Sequence, residues 1–291
     1  MTTKKVEIVL QPKEPHFVGD GFRVHNFIPS GYRLDMKRMD PFILLDYNSK
    51  FYFEPIDKPR GVGVHPHRGF ETVTIAYHGR VEHGDSSGGG GIIGQGDVQW
   101  MTAASGVLHK EFHETEWAKQ GGIFQMVQLW VNLPAKDKMS KPKYQAIKQQ
   151  EMKNVELDEN SLIEIIAGEY NGEKGPASTF SPVNMMNAKL KKGGKADFSF
   201  PADFNTAALV IEGSIIVNGE EKVSTDHFVL FENEGENFTI EVTEDSIILI
   251  ISGKPLNEPI FSHGPFVMNT REEIIQAFDD YNNGKFGYLE D

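Results

Sequence analysis

The chain has 291 residues, a net charge of −13 and no cysteine. That length suits two domains of ordinary size, each able to bury a core without cross-links, and the missing thiols exclude disulfides, thiolate metal ligands and a cysteine nucleophile. The acidic balance argues against direct nucleic-acid or anionic-membrane binding, which need basic patches, and leaves open a protein partner with a basic surface.

The N-terminus, "MTTKKVEIVLQPKEP", starts basic, but its apolar run is short and broken by Glu7, so it lacks the apolar core of a signal peptide. The apolar run around Ile247 to Ile251 is too short to cross a bilayer. A soluble, cytoplasmic protein is the expectation. Residues 1–134 hold many short strand-like runs, among them "FILLDY", "TVTIAY", "GRVEH", "DVQWMTA" and "FQMVQLWVNL". Gly, Pro and Asp separate them and helical periodicity is scarce, which predicts an all-β chain. Residues 135–159 read as a polar linker, with Pro134 and Pro142 as breakers. From 160 to 291 the strand pattern resumes, and Asn218-Gly219 in "VNGEE" is a hairpin signal. One helix is expected near the end, in "NTREEIIQAFDDYNNG". Thr270 and Glu273 have capping-box spacing, Ile274 and Phe278 share a face, and Gly284 is a natural stop. The helix is assigned with the second half, its apolar face packed back across a barrel.

The halves also overlay on one another. "FETVTIAYHGRV" and "NTAALVIEGSI" align with Gly79 on Gly213. That register puts Ser199, Pro201 and Asn205 where the first half has His65, His67 and Glu71. Two similar β-barrels are implied, the second without metal-type residues.

The chemistry concentrates in "VGVHPHRGFETVTI", residues 62–75. In a regular strand alternate residues share a face, so His65, His67, Gly69 and Glu71 would point the same way. Two neutral imidazoles and a carboxylate suit a divalent transition metal. A second cluster, "GVLHKEFHE", places His109 and Glu111 two apart again. Each motif has a plainer reading as surface or hydrogen-bonded residues; together they favour a mononuclear site built from two strands. His78, His83, His113, His227 and His263 lack such partners and read as ordinary histidines. The "SSGGGG" run lacks the end of a phosphate-binding loop and reads as a hairpin tip.

At this point the motifs "HPHRGFETVT", "SGVLHKEFHE", "VQLWVNLPAKDKMSKPKYQ" and "EPIFSHGPFVMNTREEIIQAF" resemble the pirin family of bicupins over nearly the whole chain. The resemblance implies two stacked cupin β-barrels with a short C-terminal helix, and one metal in the first barrel. Its ligands would be His65, His67, His109 and Glu111, with Fe(II) the expected ion and Mn, Co, Ni, Cu or Zn also accepted by that set. The general cupin pattern would use Glu71; the likeness to pirins gives the carboxylate to Glu111 and leaves Glu71 to orient a histidine. Ala104 and His113 depart from the general cupin second motif. The implied activity is that of a quercetin 2,3-dioxygenase, in which a flavonol ring is opened by dioxygen with release of carbon monoxide. Glu111 would take the proton of the flavonol 3-hydroxyl, and Phe70 and Trp100 would wall the pocket or simply pack the core. The alternative the resemblance raises is a non-enzymatic, metal- and redox-dependent regulator that binds a protein partner such as a transcription factor. A monomer is expected.

Overall fold

The computed structural model describes residues 2–31, 34–159 and 161–290. The chain is all-β apart from short helices, and it forms two compact units. One unit comprises Glu14–Lys37, Pro41–Gln149 and Leu256–Asp291; the other comprises Met1–Lys13, Arg38–Asp40 and Gln150–Pro255.

In the first unit a seven-stranded antiparallel sheet faces a four-stranded one, and together they make a barrel. The larger sheet runs, edge to edge, through Lys143–Ile147, Val98–Thr102, Phe70–His78, Gly122–Asn132, Phe42–Phe53, Phe22–Ile28 and His16–Val18. The smaller runs through Gly61–His67, Val107–His113, Val81–Asp85 and Gly90–Ile93. The second unit repeats this order: Val6–Leu10, Phe228–Phe231, Asn205–Glu212, Ser246–Gly253, Val183–Leu190, Leu162–Ala167 and Lys153–Glu156 in one sheet. Its smaller sheet runs Lys195–Ser199, Asn237–Val242, Ser214–Val217 and Glu221–Ser224. Phe70–His78 therefore occupies the place of Asn205–Glu212, and the glycine after each strand, Gly79 or Gly213, has a positive φ that a side chain would strain. The shared order supports the internal repeat.

The ends of the chain depart from the boundaries 1–134, 135–159 and 160–291. The N-terminal strand Val6–Leu10 is an edge strand of the second barrel, paired with Phe228–Phe231. The segment read as linker supplies the matching edge strand of the first barrel, Lys143–Ile147, paired with Val98–Thr102. An open sheet edge leaves unpaired N–H and C=O groups; the second barrel covers its edge with the separate N-terminal segment, and the first with the strand that follows Gly122–Asn132. The C-terminal helix, Arg271–Asn282, falls in the unit of the first barrel instead of the second. Its capping box is formed by Thr270 and Glu273, and Ile274 and Ala277 pack with Phe266, Met268 and Phe286.

The second barrel is filled by apolar side chains. Phe198 stacks on Phe238, ring centroids 5.0 Å apart, and Phe231 lies 4.3 Å from Phe238. Phe198 and Phe238 are on the strands that correspond to the histidine-bearing strands of the first barrel. No helix among the described residues is long and apolar enough to cross a membrane.

Candidate metal centre

Strand pairing gathers the polar cluster. Val107–His113 lies between Gly61–His67 on one side and Val81–Asp85 on the other. His109 sits directly opposite His65, and Glu111 directly opposite His83. Directly opposed residues on antiparallel strands share a face at close range. A register shift between His109 and Glu111 adjusts the pairing to Gly61–His67.

The result is two overlapping groups, His65–His67–His109 and His83–His109–Glu111, in each of which one ligand atom per residue lies within 4.8 Å of the others. Nε2 of His65 and Nε2 of His67 are 3.0 Å apart. The Nδ1 of His65 lies 2.8 Å from the Gly63 carbonyl, an acceptor only, so Nδ1 carries the proton and Nε2 presents its lone pair. Both ring nitrogens of His109 are buried without a partner among the described residues. Burial pushes the His109 pKa down to about 3, Glu111 opposing and His65 and His83 reinforcing. Burial also holds His67 well below the ordinary imidazole range, with His65 and His109 acting the same way. Imidazole nitrogens converging on one point, those of His109 with no partner among the described residues, fit a transition-metal ion.

Glu111 is gripped from several sides. Burial raises its pKa, but His109, His83 and Gln128 outweigh that and hold it well below the usual carboxylate range. Gln128 Nε2 donates to both carboxylate oxygens, at 3.0 and 2.9 Å. His83 Nδ1 lies 3.3 Å from Oε1, and the His83 ring stacks on that of His109 at 5.9 Å. His83, read from sequence as an ordinary histidine, thus belongs to the site. Its signal was the alternation Val81, His83, Asp85 along one strand face; what sequence lacked was the pairing with Glu111. Gln128 and Trp130 also went unmarked. They alternate on one face of Gly122–Asn132, opposite Thr74 and Thr72.

Glu71 stands elsewhere. Gly69 has φ +92°, and the strand ends at His67 and restarts at Phe70. That break cancels the parity count from His67 to Glu71. Thr74, three residues on, approaches Glu111 to 3.5 Å, so Glu71 lies on the opposite face, where Thr102 Oγ1 donates to it at 2.7 Å. Burial pushes its pKa up to about 7, the Thr102 bond offsetting part of the shift. The expected contact with a histidine is not formed. Phe70 does line the centre, its ring 5.2 Å from His67 and stacked on Trp130 at 4.2 Å. Trp100 pairs across from Val73, on the Glu71 side, and Trp130 stands 5.4 Å from His67 in the place expected for it. His113 is a core histidine, caged by Phe22, Phe53, Trp117 and Phe124, with Nε2 at 2.8 Å from the Gly21 carbonyl.

Comparison with known proteins places this arrangement. The Pirin family model matches residues 21–131, and the model of the pirin C-terminal cupin domain matches residues 185–287. The chain belongs to the pirin family. A crystal structure titled as quercetin 2,3-dioxygenase from Acinetobacter baumannii is 50% identical to this pirin, covers 99% of each chain and superposes with a TM-score of 0.92. A Pseudomonas aeruginosa relative, provisionally named a quercetin 2,3-dioxygenase, is 45% identical over 97% of this chain and 98% of its own. Human pirin is 35% identical over 99% of this chain and 95% of its own.

Proposed function

We propose that this pirin is a mononuclear metal-dependent dioxygenase of the quercetin 2,3-dioxygenase type, with its ion held by His65, His67, His109 and Glu111. The observation that carries the reading is the convergence of imidazole nitrogens on one point, 3.0 Å apart at the closest, beside a carboxylate held anionic. Near-identity of extent with a structure titled as such a dioxygenase supports the substrate class.

The Gly63 carbonyl fixes the tautomer of His65, and burial keeps His67 and His109 neutral, so three imidazoles offer lone pairs. Glu111, clamped by Gln128, offers the negative charge and accepts the hydrogen bond of a flavonol 3-hydroxyl. A carboxylate so acidic takes that proton only from an acidified hydroxyl, and Lewis acidity together with redox capacity is what Fe(II) supplies when bound. Phe70 and Trp130 form an apolar wall beside His67 that suits a flat aromatic ring.

The test is anaerobic reconstitution with Fe(II), then oxygen uptake and carbon monoxide detection with quercetin, against metal-free protein. Metal-dependent carbon monoxide release is the expected result. Stoichiometric iron without turnover overturns the enzymatic reading and favours a redox-dependent regulator. His67→Ala should lose the metal and keep the fold, read by metal content and by the melting temperature of the metal-free form.

A further inference from the structure

Arg68 directly follows His67, and its side chain is only 4% exposed. Its Nε donates to the Ser105 carbonyl at 2.7 Å, and its Nη1 donates to Asp280 Oδ2 at 2.8 Å. The guanidinium lies over the Phe286 ring, 4.7 Å from the centroid. Ser105 stands just before the Val107–His113 strand, so one side chain joins the ends of both ligand-bearing strands. Asp280 and Phe286 belong to the C-terminal helix and the residues after it, more than 200 positions away in sequence.

The surrounding bonds serve the same junction. The Arg68 N–H donates to the Pro265 carbonyl at 3.3 Å, and its own carbonyl accepts from Val267 N at 3.0 Å. The buried Lys138 donates through Nζ to the Gly69 and Val267 carbonyls, at 2.7 and 2.9 Å. Ser86 Oγ donates to the Phe286 carbonyl at 2.5 Å and accepts from Leu108 N at 2.9 Å, one residue before His109. Both ligand strands are therefore fastened to the C-terminal segment.

The geometry points to Arg68 and Asp280 as a positioning pair for the metal centre, through which the C-terminal segment sets the spacing between the His65–His67 strand and the His109–Glu111 strand. This rests on the metal reading above. Arginine suits the task because its planar fork holds a carbonyl and a carboxylate in fixed directions, whereas a lysine would offer a point charge. A metal site tolerates little play in its ligands, and loss of an outer partner commonly weakens binding by about 10–100-fold.

Co(II) is the probe, added to the full-length protein, because its visible absorption reports ligand number and geometry. Asp280→Asn should bind Co(II) about tenfold more weakly than wild type in competition with a chelator, with an altered spectrum at saturation. Phe286→Leu should move both readouts the same way. Lys285→Ala, which removes an exposed amine from the other oxygen of Asp280, should match wild type. Melting of each metal-free variant shows that it is folded, and Phe286→Leu decides the matter should Asp280→Asn fail to fold. Folded variants with wild-type affinity and spectrum overturn the positioning role. Wild-type protein that takes up no Co(II) overturns the metal reading itself.

Discussion

Glu71 and Glu111 are buried carboxylates whose surroundings push them in opposite directions. Glu111 has His109, His83 and Gln128 to favour its anion; at Glu71 the loss of hydration outweighs the Thr102 hydroxyl, the Trp100 indole and the charge of Lys143. Burial raises the folded-state pKa of Glu71 from 4.5 to about 7. A raised acid pKa means the unfolded chain releases its proton first, so stability falls as pH climbs from about 4.5 through 7. At full ionisation the penalty is on the order of 3 kcal/mol. Glu71→Gln should therefore stabilise the protein at pH 8 and change little at pH 5, as read by melting temperature at both values. A larger gain at pH 5 would contradict the assignment. Glu111→Gln should instead weaken metal binding by about tenfold or more, since it removes a charged donor. His83→Leu should weaken it by a similar factor of about ten by freeing Glu111, measured by chelator competition; unchanged affinity would place His83 outside the site. The sequence pattern supplied His65, His67, Glu71, His109 and Glu111 as candidates because each motif falls within a few residues, and the likeness to pirins ranked Glu111 above Glu71. The pattern itself could not separate Glu71 from Glu111 by parity, because one positive-φ glycine shifts every later side chain to the other face.

Helix and edge strands show how far local pattern reaches. The helix Arg271–Asn282 was legible because its signals are local: Thr270 Oγ1 accepts from Glu273 N at 3.2 Å, and Glu273 Oε2 accepts from Thr270 N at 2.9 Å. Thr270→Ala should cost about 1 kcal/mol in urea unfolding. An unchanged midpoint would show that the helix is held by its packing on Phe266 and Phe286 and gains nothing from its cap. The Lys143–Ile147 strand was not legible. Its sequence, "KYQAI", is short, polar and flanked by Pro142, which marks a linker as readily as an edge strand. Its identity comes from the partner it covers, Val98–Thr102, and a single element's pattern does not record its partner.

At the scale of the whole molecule, the ends of the chain serve the barrels opposite to those their sequence position suggests. The repeat was visible in sequence because two strand–glycine–strand motifs overlay; the exchange was not, since it depends on which edge lies open. It has a consequence that separates the units. Val6–Leu10 pairs with Phe228–Phe231, Val6 and Val9 pack on the core of the second barrel, and Lys4 Nζ donates to the Ala202 and Glu232 carbonyls at 3.1 Å. The members of the metal cluster all lie between His65 and Glu111, in the other unit. Deleting residues 2–11 should thus raise amide exchange in Asn205–Glu212 and lower the melting temperature, while Co(II) still binds at one equivalent. The reverse deletion, of residues 256–290, removes Asp280 and Phe286 from Arg68 and should abolish tight Co(II) binding while Asn205–Glu212 stays protected. If both deletions lost the metal, the two units would be one cooperative body, and the division of labour between a metal-holding barrel and an apolar-filled one would not be separable by cutting the chain.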